Sequence, residues 1–103
     1  MTQTELFQLI KERLRAIFGD RLKGLILYGS EARGDARQDS DIDMLALLEG
    51  PVSDWNDISR IVDATYALQL EYGRLLNILP VDTNDYQKNY PLYIEARKDG
   101  IPI

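Results

Sequence analysis

Residues 29–43 read Gly-Ser-Glu-Ala-Arg-Gly-Asp-Ala-Arg-Gln-Asp-Ser-Asp-Ile-Asp, a polar stretch with two glycines between two apolar runs. The run before it, Leu22 to Tyr28, reads as a strand buried on both faces near its end. The run after it, Asp41 to Leu48, reads as a second strand, broken by Glu49-Gly50-Pro51. On a strand, residues i and i+2 share a face roughly 6–7 Å apart, so Asp41 and Asp43 present two carboxylates side by side. Burying such a pair uncompensated is costly. A hard dication resolves the conflict, because Mg²⁺ takes oxygen ligands and is typically held by one or two carboxylates plus substrate phosphates. Two such ions, about 3.5–4 Å apart, can clamp the attacking and leaving oxygens of a nucleotidyl transfer. At the other end of the stretch, Gly29 permits positive φ and close backbone approach. The N–H groups that follow can form an anion-binding concavity, and the Ser30 hydroxyl adds a donor. A phosphate cradle thus ends one strand and a metal pair begins the next, and one triphosphate can bridge them through its metal.

Outward from this stretch, residues 3–18 read as a helix. Thr2 and Glu5 suggest a capping box, Leu6, Leu9, Ile10, Leu14 and Ile17 form a stripe at helical spacing, and Gly19 is a natural stop. Ser53 or Asp54 can cap a second long helix running to about Tyr72, with Trp55, Ile58, Val62, Leu68 and Tyr72 expected on its buried face and Gly73 ending it. Residues 74–81 read as a third strand closed by Pro80 or just beyond. A short helix near 91–98 follows, with Pro91 near its start and Gly100 after it. Ile101-Pro102-Ile103 reads as a short edge strand or a docked tail. The alternation implies one α/β (α+β) domain over residues 1–103: a small mixed β-sheet of three to four strands with helices mainly on one face. Trp55 and Tyr66 read as core or interface residues. The cluster Tyr86, Tyr90 and Tyr93 reads either as a partner surface or as a cover for the sheet edge.

Composition narrows the chemistry. The chain has 103 residues and neither cysteine nor histidine. Disulfides, thiolate metal sites, imidazole ligands and Ser-His-Asp triads are excluded. Catalysis then rests on carboxylates, hydroxyls, Lys, Arg or a hard metal. The net charge of −5 argues against broad binding to a nucleic-acid backbone, while a local cation pair can still hold one triphosphate; Arg33 and Arg37 are placed for that. No apolar run is long enough to span a membrane, and the first residues lack the order of a signal peptide, so a cytoplasmic location is expected.

The spacing Gly-Ser, ten residues, Asp-x-Asp at residues 29–43 resembles the signature of the DNA polymerase β nucleotidyltransferase superfamily. The fillers Ala32-Arg33-Gly34 and Ser40 to Asp43 look like its minimal nucleotidyltransferase branch, as does the tail Pro91-Leu92…Gly100-Ile101-Pro102. The resemblance implies a polymerase β-like nucleotidyltransferase fold. It implies Mg²⁺ at Asp41 and Asp43, and the β/γ-phosphates of ATP at Gly29 and Ser30. It also implies transfer of AMP to a tyrosine hydroxyl of a partner HEPN-domain ribonuclease toxin, with the chain as antitoxin in a hetero-oligomer. Relatives carry a third acidic residue in a strand of the form apolar-Asp-apolar-apolar-Pro. Here that stretch is Leu76-Asn77-Ile78-Leu79-Pro80, which puts Asn77 at the position and leaves Asp82 as the alternative carboxylate. The alternative function is a weak or inactive domain that neutralises the toxin by binding.

Overall fold

The computed structural model describes all of residues 1–103. The elements run α1 (Gln3–Phe18), a single 3₁₀ turn, β1 (Leu22–Tyr28), α2 (Gly29–Arg33), β2 (Ile42–Leu48), α3 (Asp54–Tyr72), β3 (Leu76–Asp82), α4 (Pro91–Asp99) and β4 (Ile101–Pro102). The sheet order is β3-β2-β1-β4. β1 is antiparallel to both β2 and β4, and β2 is parallel to β3, so the sheet is mixed as expected. The parallel pair requires a crossover, and α3 supplies it. No helix is long and apolar enough to cross a membrane.

Strand periodicity sorts the side chains. Leu25 and Leu27 of β1, Ile42, Met44, Ala46 and Leu48 of β2, and Ile78 of β3 join Leu6, Ile10, Leu14 and Phe18 of α1 and Ile61 and Leu68 of α3 in the main core. The opposite face carries a smaller cluster of Tyr28, Leu45, Val81 and Ala96 under α4. Two of the four helices therefore cover one face over most of its area. The capping box at α1 is present in its essential half, Thr2 Oγ1 accepting from the Glu5 N–H at 3.1 Å. The tail forms the edge strand β4 against Ile26 and Leu27. Tyr86 and Tyr93, with ring centroids 6.1 Å apart, pack onto the smaller cluster and so cover the sheet face beneath α4.

The turn over 29–40 opens with a short helix, since its first five residues form α2. One expectation is corrected: the buried face of α3 is Asp57, Ile61, Thr65 and Leu68, whereas Trp55, Ile58 and Val62 are exposed. The hydrophobic pattern misplaced the face because two polar residues occupy it. Asp57 tolerates burial by accepting from the Ser53 N–H at 3.0 Å and pairing with Arg21 at 3.4 Å. Thr65 donates its hydroxyl to the Ile61 carbonyl at 2.8 Å. Satisfied polar groups carry little burial penalty, so they can sit where an apolar stripe would be sought.

Candidate active site

The sheet brings Tyr28 at the end of β1, Asp43 near the start of β2 and Asn77 near the start of β3 into one row: Tyr28 is in register with Asp43, and Asp43 with Asn77. All three lie on the α4 face. Asp41, two residues before Asp43, precedes the first residue of β2 and is exposed. Asn77 Nδ2 donates to Asp43 Oδ1 at 3.0 Å. The residue at the expected third-carboxylate position therefore touches the pair, but as a neutral hydrogen-bond donor. Asp82 lies in register with Leu48 at the opposite end of β3, roughly 16 Å away at the usual rise of a strand. It is too distant to stand in.

The turn from β1 into α2 is built around Gly29. Its φ is +74°, and a Cβ placed there would lie 2.7 Å from Asp43 Oδ2. Glycine is required both by conformation and by the proximity of the carboxylate. The spacing between Gly29 and Asp43 in the sequence thus becomes a direct contact between backbone and side chain in space. Gly34, with φ +80°, ends α2 after one turn and releases the chain into the loop that returns to Asp41.

A polar clamp, not anticipated from the sequence, holds the two ends of this stretch. Arg74 donates through Nη1 and Nη2 to the two Glu31 oxygens at 2.9 and 3.4 Å, and through Nε to the Ser40 carbonyl at 2.9 Å. The Arg74 and Glu31 side chains are only 12% and 13% exposed. Forked, charge-assisted bonds of this kind fix geometry as well as contributing energy. Gln3 of α1 also donates to Glu31. One arginine after α3 therefore fastens both α2, which begins at Gly29, and the residue just before Asp41. A lone Arg following Gly73 gave no signal of this.

Burial raises the Asp43 pKa above the ordinary carboxylate value, the Asn77 hydrogen bond opposes that shift, and the negative charges of Asp41 and Glu95 add to it. Tyr28 is pushed up to about 12, first by burial and then by Asp43 and Glu95. Glu95, on α4, is the other residue that the sequence did not disclose. It reaches toward the site and pairs with Arg33 at 2.9 Å. Arg33 also meets Asp35 at 3.5 Å. These pairs are exposed and worth little. Arg37 lies exposed in the loop, its backbone N–H bonded to Ser40 Oγ. Ser30 is half-buried in α2, and its carbonyl accepts from Asp35 N–H at 3.1 Å.

No three acidic side chains gather into a single ligand group. The donors at the site are Asp41, Asp43 and the Asn77 amide, all oxygen-bearing and none soft. That set suits a hard dication supplemented by substrate oxygens, and the space beside Asp43 Oδ2 that a side chain at position 29 would fill is kept open by glycine. The residues present fit Mg²⁺.

Comparison with known proteins agrees with this geometry. The family model described as nucleotidyltransferase domain matches residues 8–99. A Methanocaldococcus jannaschii protein, named as a candidate protein adenylyltransferase, is 33% identical over 96 residues, covering 88% of this chain and 90% of that protein. A solved candidate minimal nucleotidyltransferase superposes with a TM-score of 0.64 at 25% identity, covering 100% of this chain and 97% of that one. A toxin–antitoxin structure with AMP-PNP shares the fold at a TM-score of 0.59 and 14% identity, covering 90% of this chain and 68% of that one. The paired aspartates, the glycine held against one of them and the match along nearly the whole chain lead to one assignment: the chain belongs to the nucleotidyltransferase domain family and is a nucleotidyltransferase of its minimal type.

Proposed function

We propose that the chain transfers AMP from ATP to a tyrosine hydroxyl of a HEPN-fold ribonuclease toxin in the cytoplasm, acting as that toxin's antitoxin. The observation that carries this reading is the close approach of Gly29 to Asp43, which sets the backbone at the start of α2 against that carboxylate. The toxin–antitoxin relative with AMP-PNP and the curated relative's name support the nucleotide and the protein acceptor. Asp41 and Asp43 would hold Mg²⁺, which supplies neutralising charge to the triphosphate when bound. Gly29 and Ser30 bind the β/γ-phosphates through their N–H groups and the hydroxyl. Arg33 and Arg37 compensate phosphate charge from the loop side. Asn77 orients Asp43 by its hydrogen bond. The acceptor oxygen attacks the α-phosphorus, the bond to the bridging oxygen breaks, and pyrophosphate leaves. The hydroxyl proton passes to solvent, because the Asn77 amide is no base. Positioning and charge neutralisation carry the rate.

A second reading is favoured by one observation, the neutral Asn77 opposite Asp43: the chain neutralises the toxin by binding alone. Incubation with labelled ATP, Mg²⁺ and the protein encoded by the neighbouring gene separates the two. Label on the partner that drops at least about 100-fold in Asp41→Ala/Asp43→Ala is the expected result. Toxin neutralisation that survives the double change undiminished would sink the catalytic reading and leave the second.

A further inference from the structure

α3 bears an apolar face that the fold does not use. Trp55, Ile58, Val62, Tyr66 and Leu70 follow one another at three- and four-residue steps and so line up along the helix. Trp55 is 82% and Leu70 65% exposed. Leu75, also exposed, continues the line beyond the helix. Single exposed apolar residues are ordinary, but a contiguous row of six marks an interaction surface. Beside it runs a groove of about 270 Å³ between α3 and β3, walled by Val62, Thr65, Tyr66, Leu75 and Ile78 and lined by no charged side chain.

The chemistry of the surface selects its occupant. β3 is the edge strand on this side, yet it is a poor template for strand addition. The Leu76 N–H donates to Gln69 Oε1 at 3.0 Å. Of the alternate outward positions that follow, Pro80 has no N–H to offer, which interrupts the ladder between Ile78 and Asp82. The apolar row beside it favours a partner that meets side chains, as a helix laid against a helix does. The exposed charges of α3 are Asp54, Asp63 and Glu71, whereas its only base, Arg60, is turned toward α1, with its guanidinium 4.9 Å from the Phe18 ring centre. A second copy of this chain would oppose acid with acid. A helix flanked by Lys and Arg would meet complementary charge. The row also leads to the site: the Leu75 carbonyl accepts from the Ile42 N–H at 2.9 Å, next to Asp41.

We propose that the Trp55–Leu70 row, with Leu75, docks an amphipathic, Lys/Arg-flanked helix of the acceptor protein and so delivers that protein to the Asp41/Asp43 end of the sheet. The acceptor role rests on the function proposed above; the docking does not. Trp55 is the chain's single tryptophan and reports occupancy directly. The probes are two helical peptides of about five turns, identical along a leucine face and flanked by Arg in one and Glu in the other. The Arg peptide is expected to shift Trp55 emission to the blue and to saturate. The Glu peptide is expected to bind at least tenfold more weakly, as is the Arg peptide to Val62→Ser/Leu70→Ser, whose changes are exposed and spare the core. Equal response to both peptides, or no response to the Arg peptide, overturns the proposal. So does sedimentation of the chain alone as a dimer with Trp55 already blue-shifted. Asp41→Ala/Asp43→Ala should leave peptide binding unchanged. Absence of label transfer by the unaltered chain, with peptide binding intact, therefore rejects the function alone, and label transfer without peptide binding rejects the docking surface alone.

Discussion

β2 serves two purposes on its two faces. Ile42, Met44, Ala46 and Leu48 are wholly buried beneath α1 and α3. On the other face Leu45 is buried beneath α4, while Asp43 remains half-buried and Asp41, just before the strand, is exposed. The difference comes from the covering layers. α1 has 16 residues and α3 has 19, while α4 has nine and sets the charge of Glu95 near Asp43. Alternate residues of one seven-residue strand thus carry the core and the chemistry. Stability and activity should therefore respond to different positions within a single turn of the pleat.

The largest effect that tests this division is in the core. Ile42→Ala removes a side chain wholly buried between helices and sheet and should cost about 2–5 kcal/mol. Against the roughly 5–15 kcal/mol of a small domain, that moves the urea midpoint far down. A loss below about 1 kcal/mol would mean that the helix-covered face does not carry the fold.

A smaller effect should cross the boundary. Gly29→Ala forces φ +74° on a residue with a Cβ and places that atom 2.7 Å from Asp43 Oδ2. The backbone part alone costs about 1–2 kcal/mol. The displaced carboxylate should also lower label transfer at least about tenfold, since small misplacements of a reacting geometry are expensive. Gly34→Ala is the control, because it has φ +80° but nothing within 4 Å of the added carbon. It should show the stability loss with transfer nearly intact. Equal transfer in the two variants would deny that the Gly29–Asp43 contact matters.

This division also explains what could be read from the chain. The strands flanking residues 29–43 were legible because apolar runs and glycine breaks are local signals, and Asp41, Asp43 and Gly29 stood out through their spacing. Asn77 could be placed only through the resemblance; in the structure its amide donates to Asp43 at 3.0 Å. The face of α3 was misread because Asp57 and Thr65 owe their burial to partners at Ser53, Arg21 and Ile61 that no hydrophobic pattern encodes. Arg74 and Glu95 were missed for a related reason. Each reaches the site from another element, 43 residues from Glu31 in one case and 62 from Arg33 in the other, and such partners emerge only from the folded topology.

The smallest effect has the opposite sign. Burial holds the Asp43 carboxyl above its ordinary value, so the ionised form is the one that the fold disfavours. That destabilisation is present at neutral pH and fades as pH falls through the folded-state pKa. Asp43→Asn removes the charge while leaving an amide oxygen to accept from Asn77 Nδ2. The variant should therefore melt higher than the parent at pH 7, and the gap should narrow as the solution is acidified. Saturating Mg²⁺ and ATP should reverse the order. Ligand at about 100 times its Kd adds about 2.7 kcal/mol to the form that binds it, and only the parent keeps both carboxylates. A variant that melts lower than the parent without ligand, or one that gains as much as the parent with ligand, would show that Asp43 belongs to the stabilising face of β2 after all.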